Sequence, residues 1–351
     1  MFFRENPFYI LSLHTTDGKE IISTGLQEKL KNAETRKEKN RLLDAEYDLT
    51  HSGRRCRAEF FWLPLLKKEE ARALISDVVS GKPVISISYP SLSAVILAMN
   101  SLYYGAYEDP LPLLLQMCEG YGKIDPIATA SIFNEDRRLA GFRGTYDYSY
   151  VEMQERSLLE DMAEAASRVK EREGKEKWTE FMTILAAKER NTIPGAELLL
   201  AYADSLKKDK EKTEKEIDYA LTLGRSHLSQ GLYLAQEKMR AWFTLMKPVL
   251  IWQGPLSAAE LFHRIRNEEI RFLALGRAEE AEKTAGLLAA FRNYKEMEEI
   301  LQKDRILISH GLVPEKQDIH FPSFDKVPGS AVIPEGPKIS KKKKLFGLFP
   351  L

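Results

Sequence analysis

Residues 217–246, IDYALTLGRSHLSQGLYLAQEKMRAWFTLM, carry the pattern that decides the fold. Ile217, Leu221, Leu228, Leu232, Ala235, Met239, Trp242 and Met246 follow one another at steps of three, four and, once, seven residues. With 3.6 residues per turn, that spacing gathers apolar side chains into one stripe of an α-helix. The stretch is expected to form one long amphipathic helix, ended near Lys247-Pro248, where proline withdraws a backbone donor. Met239 and Trp242 are expected to pack in a core rather than hold a ligand.

The same period extends in both directions. Upstream, Tyr148–Glu173, Trp178–Arg190 and Pro194–Leu206 read as helices, and the mixed-sign run Lys207–Glu216 reads as a solvated helix start or bend. Downstream, Ser257–Leu275 and Ala278–Ser309 follow, with Gly276 as a hinge. Long amphipathic helices in succession predict an antiparallel bundle or coiled-coil-like region over 148–310. Shorter helices precede it, over Lys67–Ser80, Ser91–Tyr104, Pro110–Cys118 and Pro126–Phe142, each punctuated by Pro, Ser or Gly signals. They define a short-helix domain at 65–147. Val84–Tyr89 is the one strand-like run and is too short to predict a sheet. The expected class is therefore all-α. After Gly311, Pro, Gly and Ser without period predict a flexible linker, and the chain closes on Lys341, Lys342, Lys343 and Lys344 beside Leu and Phe. Those lysines are candidates for contact with a membrane or other anionic surface.

Charge bounds the partners. Lys and Arg number 52, as do Asp and Glu, so no global field favours a polyanion and any electrostatic binding must be local. Arg264, Arg266, Arg271 and Arg277 are interleaved with Glu260, Glu268, Glu269 and Glu279, so nucleic acid is not an expected partner. Two distant cysteines, Cys56 and Cys118, exclude a disulfide framework. The opening residues lack the order of a secretory signal, and a cytoplasmic protein is expected. The uncharged stretch Val84–Tyr107 contains Pro90 and Asn100 and reads as a buried helix, not a membrane span.

Catalytic patterns are missing. No GxxxxGK[ST] loop, GxGxxG turn or HExxH helix occurs, and no two of the six histidines share helical spacing. The carboxylate groups Glu152/Glu155, Glu268/Glu269 and Glu279/Glu280/Glu282 are expected to face solvent. Neither an enzyme nor a cofactor is expected.

The first 64 residues carry a more specific signal. Phe8-Tyr9-Ile10-Leu11-Ser12-Leu13 resembles the opening Y-x-x-L-G-V of J domains, with Ser12 where glycine is usual. Glu20-Ile21 matches the start of their second helix, and Ala45–Thr50 resembles the A-Y-x-x-L-S of the third. Arg54–Glu59 sits where the family carries its terminal basic stretch. The resemblance covers about residues 6–63 and implies a small J-like module of three or four helices. It also implies a protein partner, a DnaK-type chaperone. J domains stimulate that partner's ATPase through a His-Pro-Asp loop after the second helix. Glu28–Arg36 contains neither histidine nor proline. What the resemblance then implies is an adaptor or co-chaperone-like scaffold that binds without stimulating, through the basic residues Lys29, Lys31, Arg36 and Lys37. The alternative is a helical scaffold independent of chaperones, attached to a membrane surface through its basic tail.

Overall fold

Asn6 and Pro7 open the first helix. The Asn6 Oδ1 accepts the Phe8 N–H at 3.0 Å, and Pro7 stands where a missing N–H costs nothing. The Asn6 amide donates to the Ala58 and Phe61 carbonyls at 2.8 and 3.2 Å, so a fully buried cap joins the chain's start to a later helix. The computed structural model describes residues 1–63, 66–83, 91–144 and 147–316, and within them the fold is all-α with no strand. The first helices are α1 (Pro7–Ile10), α2 (Lys19–Lys31), α3 (Arg36–Thr50), α4 (Ser52–Phe60), α5 (Lys68–Val79), α6 (Ser91–Tyr104), α7 (Leu111–Tyr121) and α8 (Pro126–Leu139). There follow α9 (Tyr148–Lys188), α10 (Ile193–Gly224), α11 (Leu228–Gln253), α12 (Ala259–Ala274), α13 (Ala278–Leu288) and α14 (Lys295–Ser309). The strand-like run at 84–89 and Lys341–Lys344 lie outside the described residues.

Helix α6 is the axis of the N-terminal half. Every residue from Leu92 to Leu102 is buried, as the uncharged sequence there requires. Among its polar members, Asn100 accepts the Phe3 N–H at 2.8 Å and donates to the Ile96 carbonyl. Helices α5, α7 and α9 pack around it. Residues 1–63 share this core, since Phe3, Phe8, Phe60, Phe61 and Trp62 are all buried. Contacts thus cross the boundaries drawn at 64 and 147, and Met1–Lys316 forms one unit.

Helix α9 spans both halves. It is continuous apart from Gly174, whose φ of 82° kinks it between the two helices expected there. Before the kink, Arg172 donates to the Leu102 and Tyr103 carbonyls at 2.7 and 2.6 Å. After it, Thr179 receives a hydrogen bond from the Tyr202 hydroxyl of α10 at 3.2 Å. The run Lys207–Glu216 is neither start nor bend but the middle of α10, its ends fixed by buried Leu206 and Ile217.

The stretch at 217–246 departs from expectation. It is not one helix but the turn of an antiparallel hairpin, with α10 ending at Gly224 and α11 starting at Leu228. The single seven-residue step, Leu221 to Leu228, is where the chain reverses. Gly224 and Gly231 make the reversal tight: a Cβ on Gly231 would lie 2.3 Å from the Gly224 nitrogen. Farther along, the buried Trp242 Nε1 donates to Glu214 Oε1 at 3.1 Å, fixing the register. Helix α11 also runs through Pro248 to Gly254, where φ reaches 80°. Buried Val249 and Leu250 beyond the proline offset the lost backbone bond. In the same way Ala278–Ser309 divides into α13, a 3-10 turn and α14, around buried Phe291. Order persists past Gly311, because Pro314 is buried and Arg266 donates to the Glu315 carbonyl at 3.2 Å.

Gly231→Ala forces backbone apart rather than moving a side chain. It is expected to destabilise the protein by on the order of 3 kcal/mol, read from the urea midpoint. Gly286→Ala, with nothing near its added Cβ, is the control and should cost nothing.

Candidate functional site

The basic residues singled out in the sequence lie around one connection. Lys29 and Lys31 close α2, Asn32–Thr35 turns, and Arg36 and Lys37 open α3, so the four cations share one end of a helical hairpin. All four are exposed, and none forms a salt bridge among the described residues. The two pairs differ electrostatically. Lys29 and Lys31 sit at a helix C-terminus, where the backbone dipole favours positive charge. Arg36 and Lys37 occupy the first turn of α3, at the positive end of its dipole, where cations are disfavoured by a few tenths to about 1 kcal/mol each.

A capping box holds α3 together against that cost. The Thr35 Oγ1 accepts the Glu38 N–H at 3.1 Å, while Glu38 Oε2 accepts the Thr35 and Glu34 N–H groups at 3.0 and 3.1 Å. Hydrogen bonds from Thr35 and then from Glu34 hold the Glu38 carboxyl below its ordinary range. That carboxylate is committed to backbone donors and does little to neutralise its basic neighbours.

Beside the tip lies a groove of about 920 Å³ between α1, α3 and α5. Lys29, Asn32, Ala33, Glu38 and Arg41 form one wall, and Arg72, Ser76 and Val79 the other. Of the four candidates only Lys29 reaches it; Lys31, Arg36 and Lys37 do not line it. Three arginines that the sequence reading passed over do: Arg4, Arg41 and Arg72. Arg4 donates to the Val79 carbonyl at 3.0 Å, Arg72 to Ser12 O at 2.6 Å, and Arg41 to Arg4 O. No linear signal joins them, because they come from three separate elements.

The loop after α1 shapes the groove's edge. Leu13 N–H donates to Phe8 O at 2.7 Å and Ser12 N–H to Tyr9 O at 3.1 Å, the paired bonds of a Schellman C-cap. That motif puts Ser12 at φ 57°, the only non-glycine residue with positive φ among those described. The loop continues through His14, Thr15 and Asp17, all buried. Burial pushes the His14 ring below its ordinary pKa, against the opposing Asp136 and Asp17 charges. Lys68 clamps Asp17 at 2.7 Å, strapping α5 to the loop.

Behind the loop sits a buried ionic cluster. Glu59 receives Arg55 Nε at 2.5 Å and Arg137 Nε at 2.9 Å, with all three side chains essentially inaccessible. Arg55 also donates to Thr15 O at 2.5 Å and lies over the Phe142 ring at 4.1 Å, while Arg137 reaches Cys56 Sγ at 2.9 Å. In the sequence Arg54–Glu59 reads as the counterpart of the terminal basic stretch of J domains. The Arg55/Glu59 spacing of four, on a helix that also carries Cys56 and Phe60, was the available signal.

Elsewhere the acidic groups expected in solvent divide. Glu152 and Glu279 are exposed, whereas Glu155 is half-buried and its pKa is raised by that burial and by Glu152. Glu268 pairs with Arg225 across helices. Glu269 is buried, and desolvation, reinforced by the Asp304 charge, pushes it up to about 7. Its neighbours on α12 are spent on pairing: Arg266 grips Asp304 at 2.6 and 2.8 Å, and Arg264 bridges Glu214, Asp218 and Glu260. Among the described residues no three His, Cys, Asp or Glu side chains converge to hold a metal ion. No helix among them is long and apolar enough to cross a membrane.

Ser12→Gly removes the left-handed strain of an exposed L-residue. It is expected to raise the unfolding free energy by roughly 1 kcal/mol, seen as a higher urea midpoint at unchanged slope. An unchanged or lower midpoint would mean that the Ser12 side chain stabilises the cap. In comparison with known proteins no family model, no curated protein and no solved structure matches the chain, so its function rests on its own side chains.

Proposed function

We propose that the protein is a non-catalytic, J-domain-like adaptor that binds a protein partner, a DnaK-type chaperone, through the basic tip of α2 and α3 without stimulating its ATPase. The observation that carries this reading is the placement of Arg36 and Lys37. They stand exposed at the positive end of a helix dipole, in a turn stabilised by a separate capping box. Charge kept at a local cost to stability is more readily explained by an acidic partner than by folding.

Two further features support the reading. Helices α2 and α3 pack on each other and are joined by Asn32–Thr35, where J domains carry His-Pro-Asp. Ser12, standing where the J-domain pattern has glycine, adopts the left-handed backbone that glycine accepts without strain. The tip offers four cationic side chains but no histidine to act on a chaperone's nucleotide cycle.

The test is direct binding to the DnaK-type chaperone of the same cell, in ADP and ATP states, with its ATPase turnover followed in parallel. Binding is expected in at least one state with turnover unchanged. Lys31→Glu, Arg36→Glu and Lys37→Glu together should weaken it roughly tenfold or more and make the remainder less salt-sensitive. Absence of binding in every nucleotide state would contradict the chaperone reading. Binding indifferent to the three reversals would contradict the proposed surface.

A further inference from the structure

The groove beside the tip has properties the adaptor reading does not use. Its floor is apolar, formed by Phe8, Leu42, Trp62, Ile75 and Val79, while its rim carries Arg4, Lys29, Arg41 and Arg72 against Glu38 alone. That is four cations to one carboxylate in a chain whose total charge is zero. Glu38 is already occupied by the two backbone N–H groups of its capping box.

The arginines are also prepositioned. Each of the three gives a hydrogen bond to a backbone carbonyl, which holds the guanidinium at the groove. None of the three is in a salt bridge among the described residues. Arg55, Arg137, Arg264 and Arg266, by contrast, are matched with carboxylates inside the chain. A fixed, unneutralised guanidinium fork is suited to a carboxylate that arrives from outside.

Trp62 adds an independent feature. Its side chain lines the groove and is almost wholly buried, yet its indole N–H has no acceptor among the described residues. A buried donor left unpaired costs about 1–3 kcal/mol. The groove lies between elements that pack elsewhere: α3 packs on α1, α2 and α4, while α5 packs on α6 and the 3-10 turn Phe3–Glu5. What remains between α3 and α5 has the size of a site for a few side chains, not for a folded domain.

We propose that this groove binds a short acidic segment of another protein, one that seats an apolar side chain on the floor while its Asp or Glu residues meet Arg4, Arg41 and Arg72. Charge complementarity selects this occupant, and the apolar floor separates it from nucleic acid, whose phosphates would use the rim alone. The inference stands apart from the chaperone reading. Of the four tip cations only Lys29 lines the groove, and neither set of test variants touches it, so each proposal can fail without the other.

The probe is a phage-displayed random peptide library selected on the immobilised full-length protein, with the enriched peptides resynthesised and titrated by fluorescence polarisation. Enriched sequences are expected to place Asp or Glu beside Leu, Phe or Trp. Arg41→Gln with Arg72→Gln should weaken them tenfold or more. Ser76→Trp, a change at an exposed position that fills the groove without altering charge, should abolish binding while leaving the thermal midpoint in place. No enrichment, enrichment of neutral or basic peptides, or binding unaffected by both variants would overturn the proposal. So would a single-stranded oligonucleotide that binds with the same dependence on Arg41, Arg72 and Ser76.

Discussion

Glu59 sits between two guanidinium groups in a place that water does not reach. A single buried carboxylate there would be intolerable, and two arginines alone would repel each other. Together with the Thr15 carbonyl, the Cys56 sulfur and the Phe142 face they form a cluster in which the central charges are satisfied. Its members come from α4, α8 and the loop after α1. The loop is therefore held in place by the same contacts that hold α8, and the loop in turn receives Lys68 and Arg72 of α5. The groove's two walls keep their spacing because both refer back to this point.

That arrangement ties residues 1–63 into the unit Met1–Lys316. Residues 1–63 carry their own helical signals, and Phe3 and Phe8 both pack on Trp62, but the segment is also tied to later elements. Phe3 is tied to Asn100 of the buried helix α6, and Asn6 to the end of α4. The hairpin of α2 and α3 packs on this shared core through α3, while its basic residues stay exposed. Rigidity at the base and exposure at the tip are what a docking surface requires.

Local signals carried the all-α class and most of the helices. Ser91–Tyr104 coincides with α6 because an uncharged run between a proline and a glycine has few other solutions. Periodicity misled where a tight turn preserved it: Gly224 and Gly231 let the chain reverse without breaking the apolar stripe, so the hairpin looked like one helix. At the candidate site Lys29, Lys31, Arg36 and Lys37 were legible because they are consecutive around one connection. Arg4, Arg41 and Arg72 were not, since only the packing of three elements brings them together. Glu59 was hidden for a related reason, because the sequence states a charge but not whether an arginine from a distant helix will meet it, and Glu269 because the sequence does not state its burial.

The Glu59 cluster makes α2–α3 and α6–α8 one cooperative body. Native-state hydrogen exchange on the full chain, with and without Glu59→Gln, tests it most directly. The account predicts that buried amides of α3 and α6 exchange with the same opening free energy, and that the substitution lowers both together by about 3–5 kcal/mol. Opening of residues 1–63 at a lower free energy of their own, unchanged by Glu59→Gln, would contradict it.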